Sequence, residues 1–391
     1  MITRHIKIPK NLSFFLFGPR QTGKSTLIHM VYTEDTWFVD LLLNDQFLRY
    51  DKDPSLFRKE AYTKIKDQHI RHIVIDEIQR VPQLFETLRP LADRPETPAR
   101  FLVLGSASPR LVRGVSESLA GRSLFTAVPG FSLEEVGVKA QNQLWARGQF
   151  PRSWLAESEA ASNRWREAFI ATFLERDIPQ LGIRVPSESL RRFWTMLAHY
   201  HGQVWNASEL ARSIGASSKT ALHYRDILAG GYVLRVLPPW FENLKKRQVK
   251  SPKIYIRDSG ILHTLLRIPD MDSLRSHPRY GASWEGFALE QILVLFGDEH
   301  AYFWSTRQGA ELDLLLFVGK ERWGFEFKCS DAPSMTKSIH VALQDLGLER
   351  VFIVYPGKQR YRIHEKVEVI PLTECIHQRD FLLRSDHGNQ P

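Results

Sequence analysis

The stretch Phe14 to Thr26, FFLFGPRQTGKST, decides how the rest of the chain is read. Its first four residues are an apolar run that predicts a buried strand. G-x-x-x-x-G-K-S follows at once across Gly18, Gly23, Lys24 and Ser25. A phosphate chain carries several negative charges, and a glycine-bearing loop that runs into a helix aims backbone N–H groups at them. Lys24 is placed to reach β- and γ-phosphates, and the Ser25 hydroxyl to ligate Mg²⁺. The candidate phosphate-binding residues are therefore Gly18, Pro19, Arg20, Gln21, Thr22, Gly23, Lys24, Ser25 and Thr26.

At 391 residues the chain has room for two or three domains with proper cores. With 43% hydrophobic and 25% charged residues and no repeat period, it has the composition of a soluble globular protein. A net charge of +9 favours an anionic partner, nucleic acid being the commonest. Cys329 and Cys375 are too few for a disulfide framework or a thiolate metal site, which fits a reducing compartment. No apolar run has the length of a membrane span, and the apolar N-terminal run is too short for a signal peptide. A cytoplasmic protein without membrane partners is expected.

Residues 1–135 read as a first domain. Helix Ser25 to Val31 follows the loop, and Trp37 to Leu43 reads as the next strand. In Arg71 to Gln79, RHIVIDEIQ, the apolar Ile73, Val74 and Ile75 end in Asp76 and Glu77. Carboxylates at the C-terminal end of a buried parallel strand sit where open α/β sheets bind ligands. Asp76 would hold Mg²⁺ through water, and Glu77 would polarise an attacking water. Pro82 to Ala92 has helical spacing at Leu84, Phe85, Leu88 and Leu91. The strand Arg100 to Leu104 ends in Gly105-Ser106, and Ser106 is a candidate to hydrogen-bond the γ-phosphate or the water. Leu111 to Leu119 reads as a helix that Gly121-Arg122 ends, and Ser123 to Val128 as a strand. An arginine can neutralise charge built up in phosphoryl transfer, often from a neighbouring subunit, and a donation in trans would require a homo-oligomer of at least two copies. Arg110, Arg113 and Arg122 are the candidates, with Arg122 first.

Together, FGPRQTGKST, HIVIDEIQRVP, FLVLGSAS and SESLAGR resemble the AAA-type ATP-binding proteins of bacteria and archaea that carry a C-terminal DUF4143 domain. The resemblance continues through FLERDIPQLG, KSPKIYIRDSGILH, WEGFALEQ and FWSTRQGAELDLLL, nearly the whole chain. It implies an ATPase core using ATP and Mg²⁺, a winged-helix segment and a nuclease-like C-terminal fold.

Residues 136–270 read as a helical and winged-helix segment. Helices are expected at Trp165 to Leu174, before Glu175-Arg176-Asp177, and at Leu190 to Tyr200. Asn206 and Glu209 form a capping box before the helix Ser208 to Ser213. Ile214-Gly215-Ala216 turns the chain, Ser217 caps a second helix to about Leu228, Gly230-Gly231 stops it, and Tyr232 to Leu237 alternates as a strand. That order is the winged-helix pattern. Lys219, His223 and Arg225 would face a DNA groove, with Lys245, Lys246, Arg247, Lys250 and Lys253 as a basic flank on phosphates. Helix-turn-helix shape does not specify its ligand, and the reading preferred over DNA is a solvated surface, with the winged helix serving as a protein contact or a lid on the ATPase.

Residues 271–391 read as the C-terminal domain. Ser283 to Phe296 is expected as a helix bearing Glu285 and Glu290, and Glu311 to Val318 and Glu321 to Lys328 as strands. A two-residue turn at Gly319-Lys320 pairs Val318 with Glu321 and therefore Asp313 with Glu326, with Lys328 on the same face. Like charges directly opposite destabilise a hairpin, so a cation is expected between them. This is the D…E-x-K arrangement of restriction-endonuclease-like nucleases, to which the family's C-terminal domain is similar. It implies Mg²⁺ on Asp313 and Glu326, Lys328 orienting water, and Glu285 or Glu290 as a further carboxylate. The helix Leu343 to Leu348 and strand Val351 to Tyr355 complete the core, and the tail beyond Arg384 is expected to be disordered.

The expected fold is thus α/β: a parallel AAA-like P-loop sheet, a winged-helix segment and a restriction-endonuclease-like domain. The expected function is Mg-ATP hydrolysis that controls engagement of a partner, DNA among them. The alternatives are an ATP-gated metal nuclease and a binding switch without cleavage.

Overall fold

The computed structural model describes residues 2–6, 8, 12–92, 99–108, 111, 124–242 and 248–377. The chain divides into two compact units. One comprises Met1–Phe131, Phe169–Leu190 and His223–Val233; the other comprises Ser132–Ala168, Arg191–Leu222 and Leu234–Pro391.

The first unit holds strands β1 (Phe14–Phe17), β2 (Thr36–Asp40), β3 (His72–Asp76), β4 (Arg100–Gly105) and β5 (Leu124–Ala127). They form one sheet in the order β2-β3-β4-β1-β5, every pair parallel. Parallel strands covered on both faces need apolar residues at consecutive positions, and β1 is buried at all four. Alternation sorts them: Phe15, Phe17, Ile73, Ile75, Phe101 and Val103 pack on one face, and Phe14, Leu16, Val74, Leu102 and Leu104 on the other. Helix α1 (Lys24–Val31) covers the second face with Ile28, while Phe57, Ala61, Leu84, Phe85 and Leu88 cover the first. β2 is shorter than its apolar run predicts. Asp40 turns the chain, its carbonyl and carboxylate accepting the N–H groups of Leu43 (3.1 Å) and Leu42 (2.8 Å). The polar helices Asn44–Lys52 and Pro54–Asp67 that follow are not evident in the sequence pattern.

The second unit contains a three-stranded antiparallel sheet of β6 (Gln203–Val204), β7 (Leu234–Leu237) and β8 (Lys253–Ile256), with β8 in the middle. Its larger sheet consists of β9 (Ala301–Ser305), β10 (Glu311–Val318), β11 (Glu321–Phe327), β12 (Arg350–Tyr355), β13 (Tyr361–His364) and β14 (Val367–Pro371), in the order β13-β14-β12-β11-β10-β9. β9, β10 and β11 are antiparallel, and β12 joins β11 in parallel. A parallel step needs a crossover, which the helix Lys337–Leu346 supplies, burying Ile339, Ala342 and Leu346. That helix begins six residues before the expected Leu343, because Thr336 caps it through the N–H of Ile339 at 3.3 Å. The Tyr280–Phe296 helix begins three residues before the expected Ser283.

Other expected elements keep their place with shifted ends: helices Glu159–Thr172, Ser187–His199, Ala207–Ser213 and Ser218–Gly230. Residues Phe173–Asp177 form a π-helical turn. The body of the expected helix Leu111 to Leu119, Arg110, Arg113, Arg122, Lys245, Lys246, Arg247 and the tail beyond Arg384 lie outside the described residues. No described helix is long and apolar enough to cross a membrane.

Candidate functional site

In the first unit, β1 delivers the chain into a loop whose backbone is bent at Gln21 (φ 64°) and Gly23 (φ 86°), both left-handed. Left-handed residues among right-handed ones turn successive N–H groups toward one concavity, an anion-binding shape. Gly18 is required for space: a Cβ there would lie 2.2 Å from the carbonyl oxygen of Val128. Gly18→Ala is expected to lower stability by about 1–3 kcal/mol, read by thermal melting, because the loop must leave the strand end. Thr22 is buried and its hydroxyl donates to the Pro19 carbonyl at 3.0 Å. Arg4 closes the loop from outside, donating to the carbonyls of Thr22 (2.8 Å), Pro129 (2.9 Å) and Gly130 (3.1 Å). The sequence carries no local sign of that contact.

Lys24 Nζ lies inside this loop, donating to the carbonyls of Pro19 (2.7 Å) and Gly18 (3.0 Å). Burial lowers its pKa to about 8 against the opposing charges of Glu77 and Asp76. Ser25 Oγ donates to Asp76 Oδ2, joining the first turn of α1 to the end of β3. Burial pushes the Asp76 carboxyl up, and the Ser25 hydrogen bond opposes the shift.

Because β4 lies between β1 and β3, Ser106 at its end falls between the loop and the carboxylates. Ser106 Oγ donates to Glu77 Oε2 at 2.8 Å, and Gln79 Nε2 donates to Ser106 Oγ at 2.9 Å and to Glu77. Glu77 takes a left-handed φ of 56°, uncommon for a residue with a side chain, and its N–H donates to Asp76 Oδ1 at 2.9 Å. Arg20 makes an ion pair with Asp177, at the end of the π-helical turn. A cavity of about 20 Å³, enough for one water, is lined by Arg20, Glu77, Gln79, Ser106 and Asp177 among others. Gln79 Oε1 is buried beside it with no hydrogen-bond partner among the described residues. Lys24, Ser25, Asp76, Glu77, Ser106 and Arg20 are thus brought together, and sequence reasoning missed Gln79 and Asp177. Gln79 could have been found from its place two residues after Glu77 in a tight turn; Asp177 had no local signal.

A second cluster lies in the second unit. Val318 pairs with Glu321, and Gly319 has φ 63° while Lys320 has no positive φ, as a hairpin turn with glycine first requires. The expected register holds to Leu314 opposite Phe325. One residue further, β10 shifts register against β9 between Leu312 and Leu315, a bulge that re-aims Asp313. Asp313 Oδ2 accepts the N–H of Phe327 at 3.1 Å, and Lys328 Nζ lies 2.7 Å from Glu326 Oε1. Burial and the Asp313 charge push Glu326 up to about 8.

Two expectations are corrected here. Lys253, assigned to a basic flank on DNA phosphates, is 2% exposed. Its Nζ lies 3.0 Å from Asp313 Oδ1 and 3.3 Å from Glu285 Oε1 and pairs with Glu311. Strand alternation puts Tyr255 on the same face, and its hydroxyl donates to Glu285 Oε1 at 2.6 Å. Burial disfavours the Lys253 charge, but Glu285, Asp313 and Glu311 outweigh it and hold its pKa well above the usual value. Burial and the Asp313 charge push Glu285 up to about 7. Glu290, the other candidate carboxylate, belongs elsewhere. Arg235 grips it with Nε and with Nη2 at 3.0 Å, and Arg257 Nε lies 3.2 Å away. Burial opposes its ionisation, yet the two guanidinium groups hold its pKa below the usual range. Among the described residues, no three carboxylate, imidazole or thiol side chains are grouped so as to hold a metal.

A glycine-bearing loop running from a parallel strand into a helix, with carboxylates two strands away, defines the class of phosphate-loop proteins. The family profile described as "AAA domain" matches residues 10–137, "Domain of unknown function (DUF8612)" matches 138–272, and "Domain of unknown function (DUF4143)" matches 280–375. Uncharacterized proteins of Mycobacterium tuberculosis and Mycobacterium bovis are each 46% identical over 364 residues, covering 92% of this chain and 80% of theirs. A crystal structure of a Vibrio cholerae protein covers 95% of this chain and 97% of its own at 11% identity, with a TM-score of 0.21, too slight a likeness to inform the fold. The chain belongs to the family of AAA-domain proteins with a C-terminal DUF4143 domain.

Proposed function

We propose that the first unit binds and hydrolyses Mg-ATP, and that its nucleotide state controls how the C-terminal domains engage a partner. The observation that carries this reading is the Ser25–Asp76 hydrogen bond between loop helix and β3. A hydroxyl and a carboxylate so paired fit a shared Mg²⁺, directly at Ser25 and through water at Asp76. The N–H groups of residues 18–26 would cradle the phosphates, and Lys24, already inside the loop, would shift from the Gly18 and Pro19 carbonyls to β- and γ-oxygens. Bound Mg²⁺ supplies charge neutralisation on those oxygens. Glu77 would take the proton of a water seated in the small cavity, with Ser106 and Gln79 fixing the carboxylate. An arginine from a second copy, Arg122 first among the candidates, would complete the site.

Arg20 is held by Asp177 and would turn to the γ-phosphate. Asp177→Ala is therefore expected to lower the melting temperature by the equivalent of about 1–3 kcal/mol, and saturating ATP to restore more of it in the variant than in the wild type. Equal stabilisation of both proteins by ATP would show that Arg20 does not exchange partners.

The segment from Asn206 to Ile256 supports a winged helix, two helices followed by a small antiparallel sheet, and DNA is the partner its exposed Lys219 and His223 favour. Arg225 is half-buried against Asp226, so it does not extend that surface freely. Helix, three antiparallel strands, helix and parallel strand from Tyr280 to Tyr355 likewise support a restriction-endonuclease-like fold. The test is duplex capture by wild type with ATP, with ADP and with Mg²⁺ chelated, beside ATP turnover under the same conditions. Capture that differs between ATP and ADP is expected; the same capture in all states would contradict nucleotide control.

A further inference from the structure

The acids of the β10–β11 hairpin are met by cations from the chain itself, Glu326 by Lys328 and Asp313 by Lys253. Lys253 Nζ is met by Glu285 from the Tyr280–Phe296 helix and by Glu311 and Asp313 from β10. An ordinary buried ion pair joins one cation to one anion; here three carboxylates from two elements converge on one nitrogen. The oxygens of Asp313 and Glu285 stand 3.0 and 3.3 Å from the nitrogen, about 1 Å beyond Mg²⁺–oxygen distances, so the acids are spaced around an ammonium rather than a metal. Glu326 Oε2 is buried nearby with no hydrogen-bond partner among the described residues, an acceptor left over beside the shell.

We propose that the Lys253 ammonium is the resident cation of this site, standing where a divalent metal would otherwise bind. The second unit then holds no hydrolytic metal and does not cleave phosphodiesters. The nitrogen is tethered: β8 is paired on both sides, Lys253 opposite Leu237 and opposite Val204. An incoming metal would have to expel it and leave a buried ammonium without its partners, while Phe303, whose ring centroid is 5.8 Å away, offers no anionic replacement. The same acids that would select a metal are therefore spent on the lysine.

The test is binding of Mn²⁺ to the full chain without nucleotide, read from the paramagnetic resonance of the free ion, together with plasmid cleavage in Mg²⁺ and Mn²⁺. Wild type, Asp313→Asn and Glu285→Gln should bind equal amounts of Mn²⁺ and leave DNA intact. Folded Lys253→Met should gain one Mn²⁺ site, and Lys253→Met with Asp313→Asn should lose it. A wild-type Mn²⁺ site or cleavage activity that disappears in Asp313→Asn would overturn the proposal. So would folded Lys253→Met protein that gains no site. The wild-type comparison needs no change at position 253, so it decides the question even if that variant fails to fold.

Discussion

Glu77→Gln protein is expected to bind ATP and fail to turn it over, with a loss in kcat of roughly 10²- to 10⁴-fold, the usual contribution of a positioned general base. The substitution keeps the side chain's size, so the contact with Ser106 can persist and the loop around Lys24 is not disturbed. The separation of binding from turnover is the informative part. A phosphate-loop disruption weakens both; removal of the base spares the first. The residue's left-handed backbone points the same way, since a conformation that costs of order 1–3 kcal/mol persists where the surroundings impose it. Equilibrium binding of a fluorescent ATP analogue beside phosphate release gives both readouts. Full turnover in Glu77→Gln would move the base elsewhere, with Asp76 next in line.

Glu290→Gln is the second large effect, and it is one of stability. Arg235 and Arg257 both rest on this carboxylate, which is 3% exposed. Removing one partner of such a buried network leaves charge without compensation and costs about 3–5 kcal/mol, a fall in melting temperature on the order of 10 °C for a unit of this size. Arg235 also bonds Asp298 at 3.1 Å, which retains part of its pairing and favours the lower end of that range. Glu285→Gln makes the contrast. Glu285 shares the Lys253 ammonium with Asp313 and Glu311, so the amide leaves that cation two carboxylates and can still accept the Tyr255 hydroxyl. Thermal melting of the two variants should rank Glu290→Gln far below Glu285→Gln. The reverse ranking would return Glu290 to the acid cluster.

The contrast between these glutamates marks where the sequence stops being legible. The phosphate loop could be read because all of its chemistry lies within nine consecutive residues, and Asp76 and Glu77 because a strand end announces them. Lys253 could not. It follows a run of basic residues, and a lysine in such company reads as solvated surface; its partners lie 32 to 60 positions further along the chain. One signal was present: Lys253 opens the short alternating stretch KIYI, where a strand position facing a core needs a paired charge. The hairpin register could be derived from Gly319, whereas the bulge at Asp313 arises from its mismatch with β9, a strand on the far side. Arg20 and Asp177 are separated by 157 positions, and nothing local in either points to the other.

Release of phosphate from ATP by wild type and Lys24→Ala in Mg²⁺ tests most directly whether the loop at residues 18–26 is a working ATPase site. Lys24 is the charge inside the loop, and removing one such electrostatic group from a phosphoryl-transfer site costs roughly 10²- to 10³-fold. Mg²⁺-dependent turnover by wild type that falls to background in Lys24→Ala is the expected result. Equal turnover by both proteins, or none by wild type at any concentration that allows self-association, would contradict it.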